Sequence, residues 1–170
     1  SDKQLSDMEP KAVAEYLRNW VPEPNDPLDR SREGTGRALI SQITTNPNKW
    51  ADDLDLFSDL DPTYVRSIFI GYRDAVKQGN KFDWEPILNL ATQVLAKPIK
   101  IRDRKSSSVF GDDPDWSWCR HTIVELITEG LKKGPCQLEL SFRDKIWNVL
   151  EPLTNDPDPT PQYEAEYLES

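Results

Sequence analysis

Residues 61–98 read DPTYVRSIFIGYRDAVKQGNKFDWEPILNLATQVLAKP. Asp61 can accept the free N–H groups of a first helical turn, and Pro62 suits the position that follows. Tyr64 or Val65, then Ile68, Phe69, Tyr72 and Val76, recur at spacings of three and four, the period of an amphipathic helix. That helix should reach Gln78 and stop at Gly79. Asp83 opens a second helix, with Ile87, Leu88, Ala91, Val94 and Leu95 on its apolar side and Pro98 closing it. Asn80, Lys81 and Phe82 form a connection short enough to make the two helices antiparallel neighbours. Gly71 lies mid-helix, where glycine costs about 1 kcal/mol against alanine. A close helix–helix approach would explain it.

The rest of the chain follows the same pattern. Before the hairpin, a helix should begin at Ser6 or Asp7 and carry Val13, Tyr16, Leu17 and Trp20. The prolines of residues 21–30 predict a connector. A second helix starts near Ser31, with Leu39, Ile40 and Ile43 inside. A third starts at Asn46-Pro47, with Trp50, Leu54, Phe57 and Leu60 as its stripe. After the hairpin, Asp113-Pro114 opens a helix carrying Trp116, Cys119, Ile123, Leu126 and Ile127, with Lys132, Lys133 and Gly134 at its end. The last helix holds Phe142, Ile146, Val149, Leu150 and Leu153, with Trp147 beside them. Residues 1–153 thus form one all-α domain of about seven helices in antiparallel hairpins. Residues 154–170 are acidic, rich in proline and without Lys or Arg, as in a tail or linker.

The 170 residues carry a formal net charge of −9. This opposes non-specific attraction to nucleic acid or to anionic membranes. No apolar run approaches the roughly 20 residues that span a bilayer. The first ten residues are polar and acidic, unlike a signal peptide. Cys119 and Cys136 make no disulfide framework and read as two free, partly buried thiols. A cytoplasmic location is the expectation.

The two hairpins resemble each other. Each opens on Asp-Pro, at Asp61 and Asp113, each turns at a glycine, and each closes at a proline, Pro98 and Pro152. Tandem helical pairs with a period of about 40 to 50 residues mark α-solenoids. FIGYRDAVKQGNKFDWEPIL (69–88) and KIWNVLEPLTNDPDPTPQYEAEY (145–167) resemble HEAT-like helical-repeat regions of large, uncharacterised bacterial proteins. The resemblance implies solenoid-like stacking and one segment of a longer polypeptide. It carries no catalytic residue.

Chemistry is sparse. The stretch GTGR, with Gly34 and Gly36, is too short for a phosphate loop and follows no strand. Asp52, Asp53, Asp55 and Asp59 lack the glycine and terminal glutamate of a calcium loop and read as a solvated acidic face. His121 is the only histidine and lies two residues from Cys119, on another helix face. No metal, cofactor or catalytic group is therefore assigned. In Trp116-Ser117-Trp118 the two indoles cannot share a face, so one belongs to the core and the other to the helix start or the surface.

One segment departs from the acidic background. Residues 97–105 hold Lys97, Lys100, Arg102, Arg104 and Lys105, and Ser106, Ser107 and Ser108 follow as a flexible run. A long loop without hydrophobic period is either a solvated connector or a functional loop. These five residues and Trp118 are the candidate contacts. The leading expectation is a non-catalytic scaffold or protein-interaction module, binding a protein partner or other regions of the same polypeptide. The alternative is an accessory domain of a nucleic-acid-directed system, with the basic segment on phosphate.

Overall fold

The computed structural model describes residues 5, 7–21, 31–104 and 112–156. The connector at 22–30, the serine run and the acidic tail beyond 156 lie outside them. Among the described residues every regular element is helical and no strand occurs. In chain order these are α1 (Pro10–Asn19), α2 (Arg32–Thr45), a 3-10 helix (Pro47–Phe57), α3 (Pro62–Gln78), α4 (Trp84–Leu95), α5 (Ser117–Leu131), α6 (Arg143–Leu150) and a closing 3-10 turn (Glu151–Asn155).

The punctuation of the central stretch holds. Asp61 accepts the Thr63 N–H at 3.0 Å, and Asp83 accepts the Glu85 N–H at 3.0 Å. Gly79 ends α3 at φ 77°, a left-handed conformation that glycine adopts without penalty. Ser31 caps α2 by accepting from Gly34.

Four boundaries differ from expectation. α1 starts at Pro10, because the residue before a proline prefers extended backbone and Glu9 adopts it. The third segment is 3-10 rather than α. Leu54, Phe57 and Leu60, all buried, recur at three, which matches three residues per turn, and Asp52, Asp53 and Asp55 are weak α-formers. Asp113 does not cap α5; Asp115 accepts the Ser117 N–H at 2.9 Å instead. Gly134 does not close α5 either. The helix ends at Leu131 and turns at extended Lys132, and Leu138 N–H donates back to the Gly130 carbonyl at 2.7 Å.

Packing runs between the expected hairpins rather than within them: α3 makes few contacts with α4, and α5 few with α6, so the close antiparallel pairing expected of each hairpin is not what holds the helices together. α3 packs chiefly on α2 and α5, while α4 packs on the 3-10 helix and α6. The glycines explain the first contact. A Cβ on Gly71 would stand 2.8 Å from Ile43 Cβ and 3.3 Å from the Ile40 carbonyl. Thr44 Oγ1 donates to the Gly71 carbonyl at 3.2 Å across the same approach. The close approach predicted at Gly71 is thus made with α2. At the other side Trp84 lies over Gly130 and donates its indole N–H to the Cys136 carbonyl at 3.0 Å.

Residue pairs fix the helix directions. Arg32 reaches Asp61 at the starts of α2 and α3, and Thr44 meets Gly71 further along. Thr63 accepts from Asp113 N–H beside the start of α5, and Arg73 reaches Glu125 further along. α2, α3 and α5 therefore run the same way in one row. In the second row Lys145 pairs with Glu85 at the starts of α6 and α4. Arg120 donates to the Leu95 and Pro152 carbonyls at their far ends. α1 runs along the 3-10 helix in the same sense, through Lys49 to Met8 and Arg18 to Leu56. A single core joins the rows, centred on Trp50, Phe57, Tyr64, Phe69, Tyr72 and Leu88. Each such side chain contributes about 1.5–3 kcal/mol of burial.

The seam has a direct test. Gly71→Ala should lower stability by about 1–3 kcal/mol through overpacking. Gly134→Ala, which meets nothing within 4 Å, should change it by under about 0.5 kcal/mol. Urea unfolding of both variants separates the two.

Candidate interaction surface

The basic segment is largely spent on its own fold. Arg104 donates to both oxygens of Asp61, at 2.9 and 3.2 Å. Lys100 pairs with Asp115 at 2.5 Å, and the Lys97 ammonium lies 5.2 Å from the Trp116 ring centroid. Ile99 accepts the Trp116 N–H at 3.0 Å. The segment thus clips the start of α5 to the end of α4. Arg102 is exposed with no partner among the described residues, and Lys105 lies outside them. The two indoles separate as expected. Trp116 is buried, whereas Trp118 is 46% exposed with the Arg66 guanidinium 5.0 Å over its ring.

Behind the segment lies a buried charged joint that the sequence did not reveal. Arg32 pairs with Asp112 at 2.5 Å, Arg104 with Asp61, and Arg66 with Asp113 at 2.8 Å. The partners lie 43 to 80 residues apart along the chain, so no local motif announces them. Burial pushes Asp61 up, but Arg104 and the Thr63 N–H outweigh it and hold the carboxyl below its ordinary range. Burial wins at Asp113, which rises to about 6 despite Arg66. Its side chain is fully enclosed, and its Oδ1 has no hydrogen-bond partner. Burial also raises the phenol of Tyr64, whose hydroxyl is likewise unpartnered.

A second feature lies at the far end of the rows. Leu131, Leu138, Leu140, Ile146, Trp147 and Leu150 line an open groove of about 650 Å³ on α6 and the turn before it. Leu140 is 90% exposed, Trp147 60% and Leu131 54%. Val124 on α5 is exposed as well. The outer side of α1, by contrast, shows Lys11, Glu15, Arg18 and Asn19. Sequence periodicity placed Ile146 and Leu150 on an apolar stripe and set Trp147 beside it. It gave no sign that the stripe would be left partly uncovered.

Cys119 is buried and donates to the Pro62 carbonyl at 3.2 Å, and burial raises its pKa. His121 faces outward beside Glu125 at 3.3 Å. The two are not brought together. Both cysteines are free, and no group of three or more His, Cys, Asp or Glu among the described residues is placed to hold a metal ion. No described helix is long and apolar enough to cross a membrane. The chain matches no protein family, no curated protein and no solved structure.

Two outcomes are expected. Arg104→Ala should cost about 1–3 kcal/mol by removing both guanidinium hydrogen bonds to the half-buried Asp61, which keeps Arg32 only at 3.6 Å, whereas Arg102→Ala should stay within about 0.5 kcal/mol; denaturant titration measures both. The fold binds a proton at Asp113 that the unfolded chain releases at the ordinary value of 3.8, so this carboxyl favours folding below 3.8 and loses that contribution as pH rises through about 6. Asp61 and Asp115, held low, act oppositely and lose their contribution as pH falls below 3.8. Comparing wild type with Asp113→Asn on either side of pH 6 isolates the first effect. The variant's stability should vary less across that window.

Proposed function

We propose that the chain is a non-catalytic helical scaffold, and that its interaction surface is the apolar face left open on α5 and α6. The observation that carries this reading is the concentration of exposed large apolar side chains there. Outside α5 and α6 and the turn between them, Val21 is the only one among the described residues. Isolated surface leucines need no explanation, but a contiguous apolar groove marks a contact site. Aromatic side chains such as Trp147 and Trp118 are enriched where protein partners bind most tightly.

The row geometry favours a HEAT-like, solenoid arrangement of antiparallel pairs. In this reading α3 and α4 would form one unit and α5 and α6 the next, although the contacts within each pair are few. In such arrays equivalent helices of successive units lie side by side, and α3 beside α5 and α4 beside α6 fit that relation. The 3-10 helix following α2 would be the diverged second member of a preceding unit. Stacked units present extended faces to partners, as scaffolds require. The nucleic-acid alternative draws less support, since Arg104 is held against Asp61 and Lys100, though exposed, pairs with Asp115.

Immobilised chain incubated with native extract tests the assignment. Leu140→Glu combined with Trp147→Glu should lose the proteins that wild type retains, and Arg102→Glu should keep them. The reverse pattern would move the contact to the basic segment.

A further inference from the structure

Arg66 stands between a buried acid and an exposed indole. Its Nε donates to Asp113 Oδ2 at 2.8 Å, and its guanidinium carbon lies 5.0 Å from the centroid of the Trp118 ring. Asp113 is fully enclosed, whereas Trp118 is 46% exposed. We propose that this triplet is a proton-operated cover for Trp118: ionised Asp113 holds Arg66 over the indole, and protonated Asp113 releases it and bares the ring. The device goes beyond the scaffold reading and does not depend on it.

The hold on Arg66 is unequal. A hydrogen bond to a carboxylate is charge-assisted and stronger than a cation–π contact at an exposed ring. The cation–π contact alone does not offset the rotamer freedom that a long arginine regains on release. The carboxylate charge therefore decides where the guanidinium sits. Asp113 is placed to lose that charge in mild acid. It is enclosed, its Oδ1 has no hydrogen-bond partner, and burial lifts it to about 6 against the pull of Arg66. The groups packed around it are otherwise engaged. From α3, Thr63 accepts the Asp113 N–H at 2.9 Å. Asp61, at the start of α3, is raised by burial but held below the ordinary range by Arg104 and the Thr63 N–H, so it stays ionised. Arg104 of the basic segment is committed to Asp61, and Arg32 of α2 pairs with Asp112. Burial raises the Cys119 thiol on α5, so it stays neutral. Above about 6 the Asp113 carboxylate is charged and Arg66 is held; below it the charge is gone and the arginine is free.

Heteronuclear NMR of the full chain, followed across pH 6, tests this. Trp118→Phe identifies the Trp118 indole signal by its loss. The expected result is a sigmoidal shift of that signal and of the Arg66 Nε–H, both with a midpoint near 6. Below the midpoint a neutral paramagnetic cosolute should broaden the Trp118 indole more than above it, with exposed Trp147 as the unchanging reference. Asp113→Asn, close in shape and uncharged, should abolish both changes, and circular dichroism verifies its fold. The Arg66 signal is read on the wild-type chain, so the test holds even where that variant does not fold. His121 lies one turn along α5 from Trp118 and is the only imidazole in the chain, so His121→Gln should leave both changes intact. A Trp118 signal that stays fixed across pH 6 overturns the proposal, as does a shift without greater cosolute broadening. So does a change that survives Asp113→Asn, or one that His121→Gln abolishes.

Discussion

Three helices that start side by side and point the same way set the main constraint on this molecule. Each helix N-terminus carries roughly half a positive charge from its aligned peptide dipoles. α2, α3 and α5 bring three such ends together. Asp61 and Asp115 answer the dipoles by accepting N–H groups of α3 and α5. Arg32, Arg66 and Arg104 then hold the surplus carboxylates of Asp61, Asp112 and Asp113. Elements distant in sequence are thereby fixed to one another at one end of the row. Like-directed helices also need connectors that travel back, which is the task of the 3-10 helix and α4 between them.

That joint accounts for the behaviour of the basic segment. A run of five cations in an acidic chain looks like a docking loop when charge is counted along the sequence. In space the acidic residues lie opposite it. Arg104 lies against Asp61 and Lys100 against Asp115, so the segment works as an internal clip. Local charge composition cannot distinguish the two situations, because the deciding partner of Arg104 is 43 residues away.

Much of the secondary structure was legible. Asp61, Asp83 and Gly79 act as their chemistry dictates, since caps and left-handed turns depend on a few neighbouring atoms. Gly71 announced a close contact but not with which helix, for a missing Cβ says only that something is near. The failures are also physical. Asp-Pro at 113 looks like a cap, yet the clip from Ile99 draws the chain inward and passes capping to Asp115. Lys132-Lys133-Gly134 looks like a helix stop, yet the turn is set earlier by Gly130 under the Trp84 ring. The groove was unreadable because periodicity identifies an apolar stripe without saying whether anything covers it.

The contact between α2 and α3 differs in kind from that between α3 and α5. Across Gly36 and Gly71 a short side chain of one helix rests directly on the backbone of the other, Ser67 on Gly36 and Ile43 on Gly71. Between α3 and α5 much of the load passes through long side chains, Arg66 over Trp118 and Arg73 to Glu125. Short, close-packed contacts resist shear; long side chains bend. A pull on the last two helices would therefore reach the rest of the molecule partly through long side chains, whereas one on the first helices would reach it through the close seam at Gly36 and Gly71.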